Sequence, residues 1–138
     1  MADAPTKPRP LPRPTLTSKP FWQAAKEGKL MLQWDPGAKQ YQFYPRATSV
    51  VTGERNLEWH TVSGLGHVHS FTITHVATPG FEDKVPYPVG LIELDEKVRI
   101  IANLINVKPD AVTIGMRVKV AFEKLSDEIS YFAFEPVG

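Results

Sequence analysis

The hydrophobic pattern changes character twice along the chain. Over positions 1–20 proline alternates with other residues, with six of the 13 prolines there, and no apolar period is present. Each proline removes an amide donor and pushes its predecessor toward extended geometry. An extended polyproline-like arm over 1–17 is therefore expected, either as a disordered leader or laid along a partner subunit. A PxxP ligand is disfavoured, because that spacing occurs only at Pro5 and Pro8. Positions 18–28 then read as a short helix. Ser18 is the expected cap, Pro20 is tolerated in the first turn and Gly28 suits a left-handed stop. Phe21 and Ala25 share a face with Trp22 beside them, so Phe21 and Trp22 are expected to anchor the helix on the domain.

Period-two alternation follows. Short strands are expected at 29–34, 40–44 and 57–62, separated by the turn-rich positions 35–39 and punctuated by Pro45 and Gly53. From Gly64 onward the reading is all-β. Positions 65–76 place Phe71 and Ile73 on one face and Thr72 and Thr74 on the other. A loop at 78–88 precedes strands at 89–94 and 98–105, which meet at the turn 95–97. A helical turn at 108–112 leads to strands at 117–122 and 131–134. Five strands with one helical connection after the third predict a small Greek-key OB barrel, with a β-sandwich as runner-up. The expected fold class is thus all-β: a five-stranded OB-fold barrel at 61–138, preceded by a short helix and a hairpin region at 18–60.

Composition narrows the chemistry. The 138 residues include no cysteine, which removes disulfides, thiol chemistry, iron–sulfur clusters and thiolate zinc sites together. No run approaches the roughly 18 apolar residues of a membrane span and no apolar leader opens the chain, so a cytoplasmic protein is expected. Residues 1–20 hold four basic residues and one acidic, leaving 12 basic against 14 acidic in the body. A slightly anionic body is a poor match for a phosphate backbone.

No nucleophile elbow, Walker loop, dinucleotide glycine pattern or paired-carboxylate motif occurs. His60, His67, His69 and His75 cluster in sequence. His67 and His69 share a strand face and can contribute to a metal site, but a third ligand is not visible, and ordinary half-exposed strand histidines are favoured. His75 can serve as an acid or base, yet no orienting partner is evident. In the loop Glu82–Asp83–Lys84 a solvated tip competes with a contact surface, and Phe81 and Tyr87 beside prolines tilt toward contact. Arg99 either reaches a phosphate or carboxylate at the barrel rim or pairs with Glu93 across its hairpin.

The order and spacing of several motifs resemble one family. Phe21-Trp22, then Gly28 to Gln33, Tyr44-Pro45-Arg46 and Leu57-Glu58-Trp59 are followed by Gly64 to Thr72, Pro79-Gly80-Phe81, Pro86-Tyr87, Leu91 to Asp95, Arg99, Asn103-Leu104 and Ile114-Gly115-Met116. Together they are similar to the thiolase-associated zinc-ribbon plus OB-fold family, over about residues 18–136. The resemblance implies a rubredoxin-like ribbon in the region 18–60 and puts its zinc ligands at Asp35, Ala38, Ser49 and Thr52. None is a cysteine, so the ribbon is degenerate and no metal is expected. A structural zinc contributes on the order of 10 kcal/mol of folding free energy. Aromatic and apolar packing by Trp34, Tyr41, Phe43, Tyr44, Val50 and Val51 is expected to stand in for it.

The resemblance also implies a non-catalytic accessory subunit of a thiolase-superfamily enzyme. The partner would be an aldol lyase or a β-keto thioester acyltransferase, as in steroid or fatty acyl side-chain degradation. No catalytic residue and no bound cofactor are expected in this chain, with acyl-CoA as ligand at a shared site. Trp22, Phe81, Lys84, Tyr87 and Arg99 are the candidate contacts to acyl-CoA or partner. Two alternatives stand beside it. One is a single-stranded nucleic-acid OB module using Phe71, Tyr131, Phe132 and Phe134 as stacking platforms, which the anionic body disfavours. The other is a stand-alone acyl-CoA-binding protein.

Overall fold

The computed structural model describes residues 9–137, so Pro5 and Pro8 of the proline arm lie outside the described residues. Helix α1 spans Lys19–Lys26. Its start differs from expectation: Ser18 makes no capping bond to the helix. Instead Thr15 and Ser18 form a reciprocal pair. The Ser18 amide donates to Thr15 Oγ1 at 3.1 Å and the Thr15 amide to Ser18 Oγ at 2.9 Å. This is the capping-box pattern with serine in place of the usual glutamate, so the start signal lies three residues upstream. The stop is as expected. Gly28 takes a φ of 79°. The Gly28 and Lys29 amides donate to the Ala25 and Ala24 carbonyls at 3.0 and 2.9 Å, the paired bonds of a Schellman motif. Phe21, Ala24 and Ala25 form the buried face.

Three short strands follow: β1 Met31–Asp35, β2 Gln40–Gln42 and β3 Glu58–Thr61, antiparallel in the order β2-β1-β3. The remaining five are β4 Leu65–Thr74, β5 Tyr87–Leu94, β6 Arg99–Asn103, β7 Arg117–Lys124 and β8 Ser130–Pro136. They pair antiparallel in the order β6-β5-β4-β7-β8, with a single 3₁₀ turn at Pro109–Ala111 after the third. A parallel bridge from Leu104 to Phe134 nearly closes the sheet, and the Ile105 amide donates to the Phe134 carbonyl at 2.8 Å. The architecture is that of an all-β OB-fold barrel with one short helix. β5 opens at Tyr87, ahead of the expected Val89. The strand absorbs Pro88 near its first residue, where a missing donor is tolerated.

Val68, Ile92, Leu94, Ile100, Val118 and Phe134 are each at most 1% exposed and fill the barrel. At roughly 1.5–3 kcal/mol per buried side chain, this is the main stabilising element of the fold. Gly66 is required where β4 crosses β5, since a Cβ there would lie 2.5 Å from the Glu93 carbonyl oxygen. Phe21 joins the two sheets through α1. Its ring packs edge-on against Phe43 of the ribbon loop and Phe132 of β8, with centroids 5.6 and 5.5 Å away.

Candidate functional site

The loop from Thr78 to Lys84 folds back on β5. The Phe81 amide donates to the Thr78 carbonyl at 2.9 Å and the Lys84 amide to the Phe81 carbonyl at 3.0 Å. Glu82 accepts the Gly80 amide at 3.1 Å. These turns bring Phe81 onto Tyr87 with the rings stacked at 5.3 Å. Phe81, Lys84 and Tyr87 thus meet in one cleft of about 330 Å³, walled on the other side by Asn103 to Val107 and Pro109 and closed by Arg9 and Glu123. The lining contains two cations, two amides, a carboxylate and a phenol among apolar walls. It holds no serine, threonine, cysteine or histidine. Such a set places two cations beside apolar walls, an arrangement that can hold an anionic, partly apolar molecule.

Arg9 gives the cleft its rim. Its guanidinium lies over the Phe81 ring at 5.1 Å and the Tyr131 ring at 5.9 Å, and Nη1 reaches Glu123 Oε2 at 3.4 Å. It also lines an adjoining groove with Pro10, Ile101, Leu125 and Tyr131, so it separates two depressions. Burial pushes the Tyr131 phenol up from its ordinary pKa, with the Arg9 charge opposing the shift. Arg9 and Pro10 of the arm therefore lie against the chain's own barrel. Sequence reasoning treated Arg9 only as a charge. The available signal was its place among prolines, where few amides remain and side chains must fix the segment.

The other candidates are elsewhere. Trp22 is half-buried on α1 beside Tyr131, 5.8 Å between centroids, and lines a groove with Phe43, Tyr44 and Pro45. Arg99 sits on β6 opposite Glu93 and bonds it at 3.2 Å, the cross-hairpin pairing. That bond is the chief cause holding the Glu93 carboxyl below its usual range. Among the described residues no three His, Asp or Glu side chains gather as metal ligands. His67 and His69 are separated by a bulge in β4, with His67 facing Glu93 at 3.9 Å and His69 exposed. His75 is exposed. His60 stacks on Trp34 and bonds Tyr41 at 3.2 Å and Glu58 at 3.0 Å. Of the four candidate base-stacking platforms, Tyr131 lines the groove beside Arg9, while the other three turn toward the core. Phe132 is 5% exposed and Phe134 0%, because β8 alternation turns both into the core, and Phe71 packs against that core.

The four positions aligned with zinc ligands do not fit the metal. Ala38 has no donor atom, and Thr52 Oγ1 accepts the Glu54 amide at 3.2 Å. Asp35 accepts the Gly37 and Ala38 amides at 2.9 and 3.1 Å on Oδ1 and the Ser49 hydroxyl on Oδ2. The expected apolar replacement is also corrected. Val50 and Val51 are each 59% exposed and Tyr44 is 55% exposed, since the turn amides pull this segment toward polar partners. Trp34, Tyr41 and Phe43 do pack, but the loop itself is held by polar side chains. Buried Gln33 bonds the Arg46 carbonyl and amide at 2.7 and 2.9 Å, and Gln42 bonds the Thr48 carbonyl and Val50 amide at 3.2 and 3.0 Å.

Residues 59–123 match the family described as the ChsH2 C-terminal OB-fold domain. A Methanocaldococcus jannaschii protein described as a DUF35 domain-containing scaffold protein is 35% identical over 82 residues, 55% of this chain and 58% of that protein. Residues 59–123 of this chain thus carry an OB-fold domain of the DUF35 kind. Another relative, the probable enoyl-CoA hydratase alpha subunit of Thermomonospora curvata, is 34% identical over 136 residues, 94% of this chain and 41% of that protein. The chain thus spans about half the length, or less, of these two relatives. A solved structure described as an Ltp2-ChsH2(DUF35) aldolase superposes with TM-score 0.81 at 28% identity, covering 91% of this chain and 98% of that one.

Proposed function

We propose that this DUF35 chain is a non-catalytic accessory subunit of an acyl-CoA-processing enzyme. It docks onto a thiolase-superfamily aldol lyase or β-keto thioester acyltransferase and completes the partner's acyl-CoA site. The observation that carries the reading is the likeness, over 91% of the chain, to a DUF35 component of an aldolase. The name of the Thermomonospora relative supports the same coarse assignment, a subunit in acyl-CoA chemistry, and makes a hydratase the second candidate for the partner.

The cleft suits this role. Lys84 and Arg9 offer positive charge to the phosphates of coenzyme A, and the Phe81–Tyr87 stack offers an apolar wall to its pantetheine arm. Trp22 and its aromatic neighbours supply a docking face with the composition of interface anchors. Arg99, engaged with Glu93, contributes orientation at most. The partner supplies the nucleophile and the acid–base groups, and the cytoplasm is the compartment this chemistry expects.

Co-expression with a thiolase-like protein, followed by gel filtration and a thioester assay, tests the reading. The expected result is co-elution, turnover by the complex and none by this chain alone. A Phe81→Ala/Tyr87→Ala double variant should lower kcat/KM of the complex while still co-eluting. A stand-alone acyl-CoA carrier would bind acyl-CoA without co-eluting, and tight low-salt retention of single-stranded DNA would favour the nucleic-acid alternative. Either outcome overturns the proposal.

A further inference from the structure

Two turns in the ribbon repeat one hydrogen-bonding pattern residue for residue. In the first, the Asp35 side chain accepts the amides of Gly37 and Ala38 at 2.9 and 3.1 Å, and the Lys39 amide donates to the Asp35 carbonyl at 2.7 Å. In the second, the Ser49 hydroxyl oxygen accepts the amides of Val51 and Thr52 at 3.0 and 2.9 Å, and the Gly53 amide donates to the Ser49 carbonyl at 3.0 Å. The fifth residue of each turn has positive φ, 57° at Lys39 and 77° at Gly53. The turns face each other. A Cβ on Gly37 would touch the Thr52 methyl at 3.6 Å, and the Ser49 hydroxyl donates to Asp35 across the gap.

Asp35 is 1% and Ser49 4% exposed, and no buried side-chain polar atom among the described residues lacks a partner. A carboxylate in a buried site is costly unless its lone pairs are filled, and three protein donors fill them here. The same bond joins two chain segments 14 residues apart in sequence. We propose that the Asp35–Ser49 pair is a metal-independent clasp: one charge-assisted hydrogen bond ties together the two turns that bound metal ligands would otherwise bridge, so the ribbon keeps its shape with no ion. The clasp does so by proton donation from Ser49 to a carboxylate that stays ionised, and each partner separately organises its own turn. This inference is independent of which enzyme the chain serves.

The test is native-state amide exchange on the full chain, wild type and three variants: Ser49→Ala, Asp35→Asn and the double variant. Wild type should contain no stoichiometric zinc and show unchanged exchange in excess chelator. Ser49→Ala removes the acceptor for Val51 and Thr52, so those amides should exchange about 10- to 100-fold faster while barrel amides stay unchanged. Exchange at Gly37 and Ala38 should also rise, because the turns are coupled. The double variant should fall short of the product of the two single effects, since both share the Ser49–Asp35 bond beside the bonds each side chain makes to its own turn. Barrel amides report folding, so a globally unfolded variant is recognised, and the remaining single variant with wild type in chelator then decides. One zinc per chain, chelator-sensitive exchange, or single effects that simply multiply in the double variant would each overturn the clasp.

Discussion

In the barrel, Val68, Ile92, Leu94, Ile100, Val118 and Phe134 meet in an apolar interior that five strands enclose. In the ribbon, Leu32 is joined in burial by Gln33, Asp35, Gln42 and Ser49, four of the five buried polar residues described. The barrel has enough surface to hide its own core, whereas three strands of three to five residues do not, and small elements of that kind need a staple. Here the staple is polar. Apolar burial is tolerant of small shifts, but a hydrogen-bonded clasp depends on each partner, so the two regions should fail in different ways.

The sharpest break is in the barrel. Phe134→Ala should cost about 3–5 kcal/mol and remove cooperative folding of the whole chain, read by urea unfolding. Gln33→Leu comes next. It strands the Arg46 amide and carbonyl and one contact of Gln42, so a loss of about 1–3 kcal/mol is expected, confined to ribbon amides in exchange experiments. Acid separates the regions further. The Ser49 hydrogen bond, with the Ala38 and Gly37 amides, holds the Asp35 carboxyl below its usual range against the opposing effect of burial. A depressed pKa stabilises the fold above the unfolded value of about 3.9 and is lost as pH falls through the folded value. All three tryptophans (Trp22, Trp34 and Trp59) lie in the helix and ribbon sheet. Tryptophan fluorescence should therefore change below about pH 4, while barrel amides should lose less protection, since the depressed Glu93 carboxyl there is paired with Arg99 at the solvent-exposed surface.

Smaller effects test the rim and the edge. Arg9→Ala should leave global stability within about 1 kcal/mol, because it removes one cation over two rings and one long ion pair. It should raise the Tyr131 phenol further by removing the opposing charge, visible in ultraviolet titration. Arg99→Ala should change least, within roughly 1 kcal/mol, since the Glu93 pair is exposed to solvent and salt.

The barrel was legible because alternation and turn residues act locally. Phe71 and Ile73, the turn at 95–97 and the helical connection before β7 each carry their own signal. The ribbon's supports were not, since Asp35 and Ser49 gain meaning only when two distant turns face each other. Each alone reads as an ordinary turn former, and Val50–Val51 reads as core although the turn exposes both. The cleft was half legible. Phe81, Lys84 and Tyr87 share a loop and came out together, whereas Arg9 reaches Glu123 across 114 positions and no local pattern announces it. Arg99 and Trp22 were read from residue type, and the fold sends them to an edge and to a separate groove.

A chain that shapes an acyl-CoA site without performing the reaction needs its partner for turnover. The most direct measurement is thioester turnover by the purified chain alone and again after adding a thiolase-like partner with its nucleophile intact. No turnover is expected from the chain alone and turnover only from the mixture, abolished when the partner's nucleophile is removed. Turnover by the isolated chain, lost on a single substitution within it, would overturn the accessory role.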